Sequence, residues 1–347
     1  MTRRELLVSL QGIGNGLLAL PLAAALRRGG SDVTMLVYSP RLVSVLRYAP
    51  MVSGVIAADE PNYRGLTGRR RLVAELRRRG FDRAVFAFPS GRAAYHLIRL
   101  ADIRERIGHA YPEVGRTARW LTQALTPLRK GHDLDQNLQL AEELGLEHRA
   151  SHLWPILEIP EEIKEKGRAY LEGAGLDPNA QYLGLHPGGD GRWVEKRWPA
   201  DHFAKIAELV YEKYRFPAIV FDGPAEAGAG LLIKRRAKSP VHALDGWGNL
   251  ADAWSLMAFC SVFVANDSGL MNLACASGLP VAAVFGPSEV HRTRPYGARG
   301  RAIVSDRTCA PCFDLGRYPG CPYPYHHCMP GIEPRKVFET IEDLLRT

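Results

Sequence analysis

The stretch FVANDSGLMNLACASGLPVAAVFGP, residues 263–287, decides the fold. It continues a short apolar run, 261–265, whose β-branched and aromatic side chains predict a buried parallel strand. A polar turn follows at 266–269, then a helix to about residue 278, and a second apolar run at 281–285 closed by Gly-Pro. This order predicts a βαβ unit whose polar turn lies at the carboxyl end of a strand, where open α/β sheets bind ligands.

The polar turn has the composition of an anion site at a helix N-terminus. Asp267 and Ser268 are favoured N-cap residues, and Gly269 lets the backbone approach a ligand closely. The N–H groups of the first helical turn have no intrahelical acceptor, so an anion can accept from them. One interpretation is that the polar residues only cap the helix. The other is a phosphate site formed by Asp267, Ser268, Gly269, Leu270, Met271 and Asn272.

A second polar stretch, LHPGGDGRWVEKRWP at 185–199, follows a predicted strand and precedes a predicted helix. Gly188 and Gly189 expose backbone N–H groups, and Lys196 is a mobile point charge suited to a diphosphate. The alternative is that Lys196 and Arg197 are surface charges beside a structural Trp198.

These two stretches, DSGLMNLA…GLPVAAVFGPS and PGG…KRWP, resemble the signature of glycosyltransferase family 9, the heptosyltransferase-like enzymes. The resemblance implies the GT-B fold: two doubly wound Rossmann-like α/β domains facing a cleft, with a C-terminal helix that crosses back to the first domain. It also implies inverting transfer from a nucleotide diphosphate sugar, most often ADP-heptose, with Lys196 on the donor phosphates and no catalytic metal. Glu226 matches an acidic position that implies a nucleoside or ribose contact, although a helix N-terminal glutamate is an equal interpretation.

A glycine-rich stretch near the start contains Gly12, Gly14, Asn15 and Gly16. Its glycines do not have the G-x-G-x-x-G spacing of a dinucleotide-binding fingerprint, because the third glycine is misplaced. With LLALP after it, this stretch resembles the acceptor-side loop of the family, which commonly carries an aspartate proposed as the base. An amide cannot accept a proton at neutral pH, so with Asn15 either the base lies elsewhere or the loop only holds substrate. Asn272 likewise stands where the family usually has histidine, which alone of the two can carry charge near pH 7. Asp82, Asp102 and His109 lie in the acceptor half without an assigned role.

Alternating strand and helix patterns run through both halves of the chain and predict two parallel sheets. A Pro- and Glu-rich segment near residues 155–165 marks the boundary. The expected domains are an acceptor-binding domain at 1–160, a nucleotide-sugar-binding domain at 161–332, and a C-terminal helix at 333–347.

Four cysteines form a C-x2-C-x8-C-x6-C pattern, which suits a tetrahedral zinc or iron site. They are Cys309, Cys312, Cys321 and Cys328, with His326 or His327 as substitute ligands. Disulfides are disfavoured in a cytoplasmic protein, and Cys260 and Cys275 lie in apolar stretches typical of the core. The cysteine pattern thus predicts a structural metal site, and some relatives in the family have a similar cysteine-rich segment that binds iron. The resemblance implies no catalytic metal.

The net charge of +8 is spread over clusters such as 69–71 and 77–79, and no run resembles a nucleic-acid arm. The arginines are interpreted as solvated helix faces, with peripheral contact to an anionic glycan or membrane surface as the alternative. No stretch approaches the roughly 18 to 20 apolar residues of a membrane span.

We therefore expect a cytoplasmic enzyme with a glycan, protein or small-molecule acceptor. The alternatives are a sugar-nucleotide epimerase or hydrolase of the same shape, or a non-catalytic sugar-nucleotide-binding subunit.

Overall fold

The computed structural model describes residues 2–128, 130–148, 154–189, 191, 193–223, 228–244, 248–313 and 318–346. The chain divides into two compact units, Met1–Ile156 and Leu157–Thr347. Each unit contains its own six-stranded sheet, and every recorded strand pair is parallel.

The first unit orders its strands β3-β2-β1-β4-β5-β6. Central β1 and β4 are nearly all buried, as a parallel sheet covered on both faces requires. The strands are β1 Arg4–Ser9, β2 Asp32–Val37, β3 Gly54–Ala57, β4 Arg83–Phe86, β5 Glu105–His109 and β6 Gln123–Leu125. The helices of this unit are α1 Ile13–Leu18, α2 Leu20–Arg28, α3 Val43–Leu46, α4 Gly65–Arg79, α5 Arg92–Leu100 and α6 Asp133–Glu143.

The second unit orders its strands β12-β11-β10-β7-β8-β9. Counted from β7, this is the strand order of the first unit, so the chain builds the same doubly wound topology twice. The strands are β7 Tyr182–His186, β8 Ala218–Val220, β9 Val241–Ala243, β10 Cys260–Asn266, β11 Val281–Phe285 and β12 Gly300–Val304. The helices are α7 Glu161–Gly173, α8 Ala200–Tyr214, α9 Ala229–Arg236, α10 Leu250–Met257, α11 Gly269–Ala276, α12 Val290–Thr293 and α13 Pro334–Arg346.

The predicted α/β class with two doubly wound sheets is confirmed. The βαβ unit of the opening motif is present as β10, α11 and β11, and β10 pairs in parallel with β11. Three short strands, β6, β9 and β12, were not predicted. Each lies at the edge of its sheet and is partly exposed, so its sequence lacks a continuous apolar run.

The glycine-rich stretch near the start is largely helical, which corrects the predicted loop. Gly12 is the extended N-cap of α1, and the Gly16 N–H donates to the Gly12 carbonyl at 3.3 Å. A Cβ on Gly16 would lie 2.7 Å from Leu42 Cδ1, so this glycine permits close packing of α1. Gly16 is therefore needed for close packing against Leu42 and not for a turn.

The C-terminal helix α13 belongs to the second unit. Its apolar face, Val337, Phe338, Ile341 and Leu344, joins the core that also contains Ile206 and Val210 of α8. Burial of that face against the second sheet decides where this helix packs within its unit. The expected crossing of the helix to the first domain stays a prediction. Among the described helices, none combines the length and the apolarity that crossing a membrane needs.

Candidate functional site

The candidate site lies where the strand order of the second sheet reverses. β7 and β10 run side by side, with Ala265 opposite His186 near their carboxyl ends. The connections that leave these two strands lead toward opposite sides of the sheet, which opens a crevice at such a point. The segment after β7 carries Lys196, and the turn after β10 carries Asp267, so the topology brings the two predicted motifs together.

The last residue of β10, Asn266, fastens the segment after β7 to this strand. Its fully buried side chain donates from Nδ2 to the carbonyls of Pro187 at 2.7 Å and Gly188 at 3.1 Å. Its Oδ1 accepts from the Trp198 N–H at 3.0 Å. One amide therefore fixes both ends of the loop that contains Lys196.

Lys196 and Asp267 form the ion pair of the site. Lys196 Nζ lies 2.9 Å from Asp267 Oδ2, and the two side chains are only 19% and 11% exposed. The sequence placed both residues at a phosphate site, and the structure confirms that they are neighbours. The carboxylate of Asp267 would repel a phosphate, so the groups here with the charge or polarity to attract an anion are the Lys196 ammonium and backbone N–H groups.

The helix after this turn, α11, begins as an anion site requires. Ser268 is the N-cap, and its Oγ accepts from the Met271 N–H at 3.2 Å. The N–H groups of Gly269 and Leu270 precede any intrahelical acceptor and stay available to a ligand. Asn272 donates from Nδ2 to the Ser268 carbonyl at 3.1 Å, while its buried Oδ1 has no hydrogen-bond partner within the described chain.

Gly189 lies beside the same turn. A Cβ on Gly189 would come within 3.8 Å of the Asp267 carbonyl oxygen, so this glycine lies in van der Waals range of the turn. Glu226, the predicted ribose contact, falls at 224–227, outside the described residues.

The four cysteines of the C-terminal segment face one cavity of about 250 Å³, which His326 and His327 also line. All four are free thiols. Burial, and then the neighbouring cysteines, raise the pKa of the Cys312 thiol, and burial raises that of Cys328. Within the part of the chain that the structure describes, no three His, Cys, Asp or Glu side chains are arranged to hold a metal ion. The structure thus brings the predicted ligands together around a cavity without a coordination geometry.

In the first unit, Asn15 lies on the first turn of α1, just after the carboxyl end of β1. Its side chain is half-buried and makes no hydrogen bond to the described residues. Asp82 accepts from the Arg4 N–H at 2.7 Å at the amino end of the strands, and Asp102 precedes β5 at the same edge. Neither carboxylate lies at the edge where Asn15 lies.

His109, the last residue of β5, is at the same strand edge as Asn15 but only 1% exposed. Its Nε2 lies 3.0 Å from Gln139 Oε1, and its Nδ1 has no hydrogen-bond partner among the residues that the structure describes. Burial lowers the pKa of His109, and the contact with Gln139 opposes this shift. His109 is therefore neutral near pH 7 and shut off from solvent.

Sequence reasoning did not assign a role to Asn266 or to Phe313, whose ring lies 4.7 Å from Lys196 Nζ. For Asn266, the available signal is an amide that ends an otherwise apolar strand just before a predicted ligand-binding turn. For Phe313 the chain offers no such signal, because the contact joins residues 117 positions apart through the tertiary fold.

Comparison with known proteins gives one family and several relatives. The model of glycosyltransferase family 9 (heptosyltransferase) matches residues 69–320. The chain is 32% identical over 168 residues to lipooligosaccharide heptosyltransferase 2 of Campylobacter jejuni, a match that covers 47% of this chain and 51% of that relative. It is 29% identical over 290 residues to lipopolysaccharide heptosyltransferase 2 of Salmonella typhimurium, covering 80% and 79%.

The fold is also that of a solved structure, the ADP-heptose lipopolysaccharide heptosyltransferase II of Escherichia coli. The TM-score is 0.77 at 23% identity, over 99% of this chain and 98% of that one. This likeness confirms the predicted GT-B class. The chain spans about half the length of the Campylobacter relatives that it matches, 51% and 57%.

Proposed function

Because this chain belongs to glycosyltransferase family 9 (heptosyltransferase), we propose that it transfers a sugar with inversion from a nucleotide diphosphate donor to an acceptor hydroxyl. The relatives named above are heptosyltransferases, and the E. coli enzyme is named for ADP-heptose. ADP-heptose is accordingly the proposed donor. Lipopolysaccharide is the acceptor that these names favour, over a protein or a small molecule.

The observation that carries the proposal is the pairing of Lys196 with Asp267 at the carboxyl ends of β7 and β10, beside the start of α11. Transfer breaks the bond between the anomeric carbon and a diphosphate oxygen, so negative charge develops on the departing diphosphate. In this proposal the Lys196 ammonium and the N–H groups of Gly269 and Leu270 offset this charge. Because Gly188 and Gly189 have no side chains, their backbone N–H groups are proposed to approach the phosphates beside them.

The family match does not favour the epimerase, the hydrolase or the non-catalytic subunit as alternatives. Transfer also requires that the acceptor hydroxyl lose its proton as its oxygen attacks. Asn15 cannot take that proton at neutral pH, so we assign it a role in holding the acceptor, together with Gly12, Gly14 and Gly16. The base is left unassigned.

The test is Lys196→Ala, with Lys205→Ala as the matched control on the exposed face of α8. Loss of a charge-assisted contact to phosphate is expected to lower kcat/KM for ADP-heptose about 10- to 100-fold, with the control unchanged. The product is identified by mass spectrometry with lipopolysaccharide core as acceptor. Turnover of ADP-heptose without acceptor, or equal activity of both variants, would contradict the proposal.

We also propose a structural zinc or iron held by Cys309, Cys312, Cys321 and Cys328. Four thiols around one cavity are a donor set that suits either metal, and their mutual repulsion as thiolates would be relieved by a cation. Metal analysis of protein prepared without chelators is expected to give about one ion per chain, and a Cys309→Ser, Cys312→Ser variant none. A wild-type protein without zinc or iron would overturn this assignment.

The cytoplasm is the proposed location, since all six cysteines are free and thiols persist in a reducing compartment. Contact with a membrane surface stays a prediction. Cell fractionation measures both the location in the cytoplasm and the association with membranes.

A further inference from the structure

The cysteine-rich segment packs directly on the loop that carries Lys196. The ring centroid of Phe313, the residue after Cys312, lies 4.7 Å from Lys196 Nζ. On its other side, Lys196 meets Asp267 at 2.9 Å. The ammonium is thus held between a carboxylate and an aromatic ring that come from different parts of the chain.

Phe313 is itself firmly placed. It is 6% exposed, stacks on Tyr318 with centroids 4.7 Å apart, and meets the edge of Trp193 at 5.0 Å. The N–H groups of Cys312 and Phe313 both donate to the Pro287 carbonyl, at 3.0 and 2.9 Å. Pro287 follows β11, so the segment is fastened to the sheet on one side and covers the Lys196 loop on the other.

We propose that Phe313 is a positioning residue for Lys196, and that the cysteine-rich segment sets donor affinity through it. The negative face of an aromatic ring attracts an ammonium group, and a half-buried site strengthens that attraction. Lysine has many rotamers in solution, so a side chain already held by Phe313 and Asp267 loses less freedom when a diphosphate binds. This inference rests on the proposed function, because it takes Lys196 as a donor-binding group.

The experiment measures ADP binding by titration calorimetry, together with KM and kcat for ADP-heptose. Phe313→Leu keeps an apolar side chain but removes the ring, and is expected to weaken ADP binding about 3- to 30-fold and to raise KM more than it lowers kcat. Phe313→Tyr keeps the ring and should bind ADP within about 2-fold of wild type. Tyr325→Leu is the matched control, since Tyr325 is in the same segment but 73% exposed.

A double-mutant cycle separates positioning from general loss of structure. If Phe313 acts through Lys196, Phe313→Leu should change ADP binding by less than about 2-fold in a Lys196→Met background. A Phe313→Leu effect that is the same in both backgrounds would overturn the inference, because it would show damage unrelated to the ammonium.

The outcomes also separate this inference from the proposed function. Weaker ADP binding by Lys196→Ala with unchanged binding by Phe313→Leu would overturn the role of Phe313 and leave the donor site standing. Unchanged binding by both variants would overturn the donor site as well. Folding of each variant is checked by circular dichroism and by counting reactive thiols.

Discussion

At the scale of single residues, Asn266 shows how one side chain can build a site without touching a ligand. Its amide has a donor end and an acceptor end, and the structure uses both inside the core. A buried polar group is stabilising only when its hydrogen bonds are satisfied, and an amide is the side chain that matches two carbonyls and one N–H.

Asn266→Asp is expected to lower the free energy of unfolding by about 2 to 4 kcal/mol, because a carboxylate would face the carbonyls of Pro187 and Gly188. Repulsion raises the folded-state pKa of the new carboxyl above its unfolded value. The deficit is therefore present at neutral pH and shrinks as pH falls through that raised pKa. Urea denaturation at several pH values measures it.

The control for this change is Asn179→Asp, the same substitution at an exposed position, which should cost less than about 0.5 kcal/mol. Equal stability of the two variants, or a deficit for Asn266→Asp that does not depend on pH, would show that the buried amide does not hold the loop.

Sequence alone predicted that the segment of Lys196 and the turn of Asp267 before α11 lie together, and their ion pair confirms this. Short motifs with fixed local geometry carry that information. It also assigned Asp267 to the donor site, and in the structure the carboxylate of Asp267 pairs with Lys196. Side-chain direction depends on tertiary contacts, which motif spacing does not contain. Neither the amide of Asn15 nor the buried imidazole of His109 offers an accessible proton acceptor at pH 7.

At the scale of elements, α7 and α10 approach each other closely where α7 has Gly167. A Cβ there would lie 2.4 Å from the Ser255 carbonyl oxygen and 2.9 Å from Phe259 Cε2. No ordinary side chain fits at such a distance from backbone, so the two helices require glycine at this point.

Gly167→Ala is expected to cost about 1 to 3 kcal/mol of stability, because the helices must separate to admit one methyl group. Gly173→Ala, at the end of the same helix with open space around it, should instead be neutral or stabilise by about 0.4 to 1 kcal/mol. Thermal unfolding followed by circular dichroism compares them. Equal midpoints for the two variants would exclude the close contact.

Most elements were predictable because their sequence patterns are strong. The sequence predicted the bounds of two strands to the residue, Val281–Phe285 and Gly54–Ala57. It predicted the bounds of most helices to within a few residues. The edge strands β6 and β9 were missed because three residues carry no periodicity, and their pairing with neighbouring strands is what makes them strands.

At the scale of the whole molecule, the repeated strand order gives each unit one point where the order reverses. In the second unit that point holds Lys196 and Asp267, and in the first it lies between β1 and β4, next to the helix that carries Asn15. Alternating strand and helix patterns predicted the two sheets. The partner of the C-terminal helix could not be predicted, because an amphipathic pattern shows that one face is buried but not which surface buries it.

Each unit is also one uninterrupted stretch of chain, with its division at Ile156 and Leu157. A ribosome adds about 5 to 20 residues per second, so the first six-stranded sheet has all of its strands outside the ribosome many seconds before the second is finished. Among the described residues, the strands of the first sheet pair only with one another and not with strands of the second unit. Translation thus completes every strand of the first sheet before it begins the second sheet.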